Sequence, residues 1–263
     1  MSVPHRARKR FGQNFLVDGN IIRRIVAAIA PRPGDNLVEI GPGLGGLTRP
    51  VLAASGHLRV VEIDRDLIER LGAEFAGQAL EIHQGDALKF DFGALGGDLR
   101  VIGNLPYNIS TPILFHLSEY AESILDMTFM LQKEVVERMV AEPGSADYGR
   151  LSVMLQYRFR VDKQFDVAPG AFRPVPKVTS AIVRVTPRPA QELGARDAAL
   201  LAHIVSAAFG QRRKTLRNTL RDLAGDAMLA ELGIDPGLRG ERLSVDDFVR
   251  IANRCADTGP RAP

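Results

Sequence analysis

The chain has 263 residues, 45% of them hydrophobic and 25% charged, with a formal net charge of +3. That composition buries a sizeable core and excludes a disordered or fibrous chain; the length allows one large domain, or one with a small appendage. The basic excess permits nucleic acid as a partner without demanding it.

The single cysteine, Cys255, excludes an intrachain disulfide and a cysteine-based metal cluster, and it fits a reducing compartment. No metal is expected. The segment from Ile21 to Ala30 is the most hydrophobic near the start, but Arg23 and Arg24 interrupt it and it is too short to span a bilayer. No secretory pattern is present. A soluble, cytoplasmic chain without a membrane partner is expected.

In chain order, a basic cluster at Arg6, Arg8, Lys9 and Arg10 precedes a helix over Asn20–Ile29, which Pro31-Arg32-Pro33-Gly34 stops. Short apolar runs then alternate with helical segments. Strands are expected over Leu37–Ile40, Leu58–Glu62, Leu80–His83 and Leu99–Gly103, with helices from Leu47 and over Arg65–Phe75. Further strands are expected at Met127–Leu131, Val153–Phe159 and Ala181–Val185. The alternation implies right-handed crossovers and a parallel sheet covered on both faces, an α/β class. Thr186-Pro187-Arg188-Pro189-Ala190 reads as a linker, because two prolines cannot continue a ladder. Beyond it, Ala198–Phe209, Thr215–Leu223 and Val245–Ala252 read as helices of a small all-α appendage. A first domain over 1–187 and a second over 188–263 follow.

A glycine-rich turn, Gly41-Pro42-Gly43-Leu44-Gly45-Gly46, follows the first long strand. Glycines there admit close approach of a ligand to backbone and expose helix N-terminal amides. Gly41, Gly43 and Gly46 match a dinucleotide pattern, and Glu62 lies about 20 residues on, where a ribose-binding acid belongs. A nicotinamide oxidoreductase and an S-adenosylmethionine (SAM) enzyme both fit, as does a tight turn without ligand. Pro42 lacks an N–H, which weakens a pyrophosphate cradle. Glu62 can accept both hydroxyls of a ribose, and Asp86, after the third of these strands, can accept from an adenine amine. Acids in such places also cap helices. Carboxylates suit a sulfonium cation, which leans the balance toward SAM.

At the end of another strand stands Asn104-Leu105-Pro106-Tyr107. The exocyclic amine of adenine is a poor nucleophile because its lone pair is delocalised. Acceptors on both its N–H bonds, the Asn104 side-chain oxygen and the Leu105 carbonyl, would localise that pair. Pro106 biases Leu105 toward an extended backbone, and Tyr107 can stack on the base for roughly 1–3 kcal/mol. The bland alternative is a turn before a helix capped by Ser110 or Thr111 with Pro112 in its first turn.

Asn-Leu-Pro-Tyr is similar to the catalytic motif of SAM-dependent amino-group methyltransferases. From Arg8-Lys9-Arg10-Phe11-Gly12-Gln13-Asn14-Phe15-Leu16, through Glu39-Ile40-Gly41-Pro42-Gly43, Gly103-Asn104-Leu105-Pro106-Tyr107-Asn108-Ile109-Ser110 and Phe172-Arg173-Pro174-Val175-Pro176-Lys177-Val178-Thr179-Ser180, to Gln211-Arg212-Arg213-Lys214-Thr215-Leu216-Arg217, the chain resembles the KsgA/RsmA family of small-subunit ribosomal RNA adenine N6,N6-dimethyltransferases. The resemblance implies a seven-stranded Rossmann-like SAM domain with a helical C-terminal RNA-recognition domain. It also implies transfer of four methyl groups to two adjacent adenines near the 3′ end of the rRNA, in a pre-ribosomal particle, by a monomer.

By motif, Asn14, Leu16, Gly41, Glu62, Asp86 and Asn104 would form the SAM pocket. Phe172 would face Tyr107 across a flipped base; otherwise it is a core aromatic, and Asn14-Phe15-Leu16 a cap with an apolar anchor. Arg8, Lys9, Arg10, Arg212, Arg213, Lys214 and Arg217 would bind RNA phosphates, or be ordinary solvated charge. Leu216, Leu220 and Leu223 form an apolar stripe, with Arg213 and Arg217 sharing a neighbouring helix face. Large-subunit rRNA methylases of the antibiotic-resistance type, and a mainly non-catalytic assembly factor, are the remaining alternatives.

Overall fold

The computed structural model describes residues 14–106, 109–211 and 213–258. Arg8, Lys9, Arg10, Tyr107 and Arg212 lie outside the described residues. The chain divides into two compact units, one of Met1–Val136 with Val161–Pro187 and one of Glu137–Arg160 with Arg188–Pro263.

The first unit opens with a two-residue strand β1 (Phe15–Leu16) and helix α1 (Gly19–Ile29). Asp18 caps α1 by accepting from the N–H groups of Asn20 and Ile21, and the helix buries Ile25 and Ile29. It ends at Ala30 in a left-handed conformation, one residue before the proline-rich stop. Then come β2 (Asn36–Ile40), α2 (Thr48–Ser55), β3 (Leu58–Glu62), α3 (Arg65–Glu74), β4 (Leu80–Gln84), β5 (Leu99–Asn104), α4 (Ser110–Ser118) and β6 (Ile124–Gln132). Helices α5 (Lys133–Val140) and α6 (Arg150–Arg158) lead to β7 (Phe159–Val167), β8 (Phe172–Arg173) and β9 (Ser180–Pro187).

Seven strands form one sheet in the order β4-β3-β2-β5-β6-β9-β7. The pairs from β4 to β6 are parallel and β6–β9 is antiparallel. The sheet is therefore mixed, not all-parallel as the alternation implied. Strands β2, β3, β5 and β6 are buried along nearly their whole length, as continuous apolar runs such as Leu99–Ile102 require, whereas β4 at the edge has none of its residues fully buried. Strand β7 at the edge carries exposed Arg160, Asp162, Lys163 and Gln164, which discourage edge-to-edge pairing.

Beneath the sheet's parallel part, Arg100 binds Asp126 through Nε at 3.0 Å and Asp35 through Nη1 at 2.6 Å, and donates to the carbonyl of Ile29. One guanidinium thus ties β5 to β6, to the end of α1 and to the turn before β2.

The second unit holds α7 (Ala198–Gly210), α8 (Leu216–Thr219), α9 (Asp226–Glu231) and α10 (Val245–Thr258) around buried Leu201, Ile204, Leu216, Leu220, Phe248 and Ile251. Strand β9 runs through Thr186 to Pro187, which were expected in the linker, and Glu137–Arg160 clusters with this unit although sequence position placed it in 1–187.

The strand expected at Val153–Phe159 is instead helix α6. The Ser152 hydroxyl donates to the Arg138 carbonyl, and the Gln156 amide donates to the carbonyls of Met139 and Ala141 at 2.9 and 2.8 Å. Four residues apart on one helix face, these two side chains satisfy carbonyls that the end of α5 leaves unpaired. No periodicity within Val153–Phe159 reports that need. Helix α8 is shorter than the expected Thr215–Leu223, and Thr215 is its cap position. Arg213 therefore precedes the helix and shares no helix face with Arg217, although Leu216 and Leu220 are buried as the stripe required.

Candidate active site

Four neighbouring strands deliver polar groups to one place. Glu39 near the end of β2, Glu62 at the end of β3, Asp86 just after β4 and Asn104 at the end of β5 all line a cavity of ≈ 270 Å³ in the first unit. Open α/β sheets bind ligands at the carboxyl ends of their strands, and the order β4-β3-β2-β5 sets these four groups side by side.

The glycine turn forms the cavity's near wall. Gly43 has φ +59° and its N–H points to Glu62 Oε2 at 3.4 Å. A Cβ there would lie 3.1 Å from the Phe15 ring, so glycine is required both by conformation and by the aromatic that covers it. Residues Asn14, Phe15 and Leu16 line the cavity with the turn. They are held from the other side by β8, with Phe15 opposite Arg173 and Leu16 opposite Phe172.

Each acid has a structural task as well as a surface on the cavity. Glu62 Oε1 accepts from the N–H groups of Ile63 and Asp64 at 2.8 and 2.9 Å. Those two bonds fall on Oε1, while Oε2 takes only the longer bond from the Gly43 N–H. Burial raises the Glu62 carboxyl above its ordinary value, against the N–H groups of Asp64, Ile63 and Gly43 that favour its charged form. Asp86 Oδ1 accepts from Leu88 N–H at 3.0 Å, capping a short turn and leaving Oδ2 outside that bond. The capping alternative and the ligand reading are thus compatible at this residue.

Glu39 was assigned no role from sequence, yet it is the most perturbed acid of the cavity. It is 2% exposed, and burial pushes its carboxyl up to about 7. The Thr48 hydroxyl, donating to Oε2 at 2.7 Å, works against that rise, and the neighbouring Glu62 charge adds to it. Its one sequence signal is a carboxylate inside an otherwise apolar strand. Ile63 was also missed: it lines the cavity while remaining 47% exposed, an apolar surface beside the ribose-type acid.

Asn104 donates from Nδ2 to the main-chain carbonyl of Asn14 at 3.0 Å. Leu105 and Pro106 line the cavity, and Leu105 N–H is bound to the Met130 carbonyl at 3.2 Å, which continues the β5–β6 ladder into the motif. The helix α4 that follows has Ile109, not Ser110 or Thr111, at its cap position; Ser110 instead donates to the Pro106 carbonyl at 3.2 Å. That bond braces the turn.

Phe172 does not join this group. It is 1% exposed, belongs to the apolar cluster with Leu16, Ile25 and Leu47, and is not among the residues lining the cavity. The core-aromatic alternative describes its position here. Arg213, Lys214 and Arg217 lie in the second unit and are exposed, with Arg217 Nε bound to Asp226 Oδ2 at 2.7 Å.

A family model described as Ribosomal RNA adenine dimethylase matches residues 4–257. The chain is 67% identical over 258 residues to the Ribosomal RNA small subunit methyltransferase A of Aromatoleum aromaticum, covering 98% of this chain and 97% of that one. It is 60% identical to the protein of the same name from Chromobacterium violaceum, with 98% of each chain covered. Among solved structures, a dimethyladenosine transferase from Plasmodium falciparum is similar with a TM-score of 0.82 at 25% identity, covering 94% and 98% of the two chains. The 23S rRNA methyltransferase ErmE is similar with a TM-score of 0.70 at 27% identity, covering 92% and 100%.

Proposed function

The chain belongs to the ribosomal RNA adenine dimethylase family, and on that premise we propose how its own residues carry the reaction. It is a SAM-dependent methyltransferase of small-subunit rRNA adenines; the relatives matched over nearly their whole length bear the small-subunit name. The nicotinamide alternative raised by the glycine spacing gives way to this family membership.

The donor set fits the cofactor. The Glu62 carboxylate takes the ribose hydroxyls, Asp86 takes the adenine amine, and the exposed face of Ile63 lies against the ring. Gly41 and Gly43 allow close backbone approach, and Asn14 and Leu16 cover the site. Three carboxylates on one small cavity favour a ligand bearing positive charge. When bound, SAM supplies the electrophilic methyl group.

Asn104 Oδ1 and the Leu105 carbonyl accept the two N–H bonds of the target amine and localise its lone pair. Pro106 holds the Leu105 backbone, and Tyr107 stacks on the base. The amine needs no strong base, because it becomes acidic once alkylated. The observation that carries this reading is the placement of Asn104, which lines the three-acid cavity while its Nδ2 donates to the Asn14 carbonyl.

The substrate is two adjacent adenines near the 3′ end of the rRNA, in a pre-ribosomal particle. The enzyme acts as a monomer in the cytoplasm. The second unit, with Arg213, Lys214 and Arg217, and the N-terminal Arg8, Lys9 and Arg10 bind RNA phosphates, as does Arg212. Phe172 pairs with Leu16 of β1, and its stacking on a base would require it to be bared.

Mass spectrometry of small-subunit rRNA incubated with the protein and SAM should show dimethyladenosine, at least ~10²-fold reduced with Asn104→Ala. Calorimetry that detects NAD binding and no SAM binding would sink the assignment.

A further inference from the structure

We infer that the main-chain carbonyl of Asn14 is a positioning group that selects an amide, rather than a carboxylate, at position 104. The inference rests on the reading that Asn104 accepts a hydrogen bond from the target amine.

A carboxylate would be the stronger acceptor for such an amine, since charge-assisted hydrogen bonds are about twice as strong as neutral ones. The reaction alone therefore does not call for asparagine. The neighbour does. Asn104 Nδ2 donates to the Asn14 carbonyl at 3.0 Å, and the opposite amide orientation would set two acceptors at that distance. Nδ2 is thereby committed to Asn14, and Oδ1 is the atom left for the substrate.

The Asn14 carbonyl has little room to withdraw. The strand it enters is paired with β8 through Phe15 and Leu16, and Val17 N–H donates to the Ala171 carbonyl at 2.9 Å. Beneath it, Phe15 and the Leu16 carbonyl each lie 3.1 Å from where a Cβ would stand on Gly43 and Gly46. A carboxylate at 104 would face a fixed acceptor. Only its protonated form restores the native pattern, with O–H donating to Asn14 and C=O accepting from the amine.

Asn104→Asp tests this in two ways. Among the described residues, the titratable groups lining the same cavity are Glu39 on β2, Glu62 on β3 and Asp86 after β4; wild type carries them too, so the readout is the ratio of variant to wild type. In single-turnover methylation of small-subunit particles at saturating SAM, that ratio should lie below about a tenth near pH 8.5. It should rise as pH falls to about 5.5, by at most about tenfold per pH unit, and level off at or below one. Independently of activity, the variant's melting temperature relative to wild type should fall as pH rises. Its acid is raised in the folded state, so the stability it contributes is present at low pH and lost through the folded pKa.

Both dependences should persist in a Glu39→Gln background; their loss there assigns the effect to Glu39 and overturns the inference. A ratio that stays flat with pH, at any level, also overturns it. Should wild type itself form no methyladenine, the functional reading fails, and the melting series still decides the role of Asn14.

Discussion

Gly103 and Ile40 approach so closely that a Cβ on Gly103 would stand 2.6 Å from the Ile40 carbonyl oxygen. The two residues lie at the carboxyl ends of adjacent strands, one immediately before Asn104 and the other immediately before the glycine turn. The turn proposed to hold the cofactor and the motif proposed to hold the substrate are thus held apart by a distance that only glycine at 103 allows.

Gly103→Ala should therefore displace Asn104 as well as strain the sheet. Overpacking of this kind costs about 1–3 kcal/mol. We expect a folded protein with a lower melting temperature, and single-turnover methylation reduced well beyond any change in SAM affinity. Unchanged turnover with a lowered melting temperature would confine Gly103 to packing.

Glu39 gives a pH signature with a definite sign. Its carboxyl is raised from 4.5 to about 7 in the folded protein, so the unfolded chain releases its proton first. The stability that protonated Glu39 contributes is complete below pH 4.5 and is lost as pH rises through about 7. Glu39→Gln should remove that loss, making the ligand-free protein more stable at alkaline pH by on the order of 3 kcal/mol and hardly altering it in acid. Urea denaturation at both extremes measures this. A cationic ligand should also drive the proton off, so SAM binding near neutral pH should release protons in wild type and fewer in Glu39→Gln.

Phe172 distinguishes a core ring from a stacking ring. Buried as it is, Phe172→Ala should cost about 3–5 kcal/mol, as large-to-small changes in cores do. It should also loosen β1 and weaken SAM binding through Leu16. Full stability combined with lost methylation would show a ring that works mainly on the base.

The basic segment predicts through salt. Charge reversal of Arg213 and Lys214 should weaken binding to small-subunit particles and flatten its salt dependence, leaving SAM affinity unchanged. Arg217 is bound to Asp226 on an exposed surface, where such pairs contribute up to about 1 kcal/mol. Asp226→Ala should then free Arg217 and tighten particle binding with little effect on melting. An identical salt slope in both variants would reduce all three cations to solvated surface.

Much of the site was legible because its chemistry is local in sequence. The glycine turn, Glu62, Asp86 and Asn104-Leu105-Pro106 each sit next to an apolar run, and a strand end places its following residues at the edge of a parallel sheet whatever the rest of the fold does. Glu39 and Ile63 escaped because nothing beside them marks them. A charge in a strand becomes a buried acid, and an isoleucine after Glu62 becomes a half-exposed surface, only when neighbouring strands are known.

The sequence by itself determined the strands from β2 to β6, the acids at their ends and the position of Asn104 at the end of β5. Each is written in periodicity or in residue types a few positions apart. Tertiary structure alone decided that Arg150–Arg158 is a helix, that Glu137–Arg160 clusters with the second unit, that Phe172 is buried, and that Asn104 leans on the carbonyl of Asn14. The reason is common to all four. Ser152 and Gln156 answer carbonyls of another helix, Phe172 fills a space bounded by α1 and the glycine turn's helix, and Asn104 donates across 90 residues of chain. A hydrogen bond or a packing contact between distant segments leaves no period in either one.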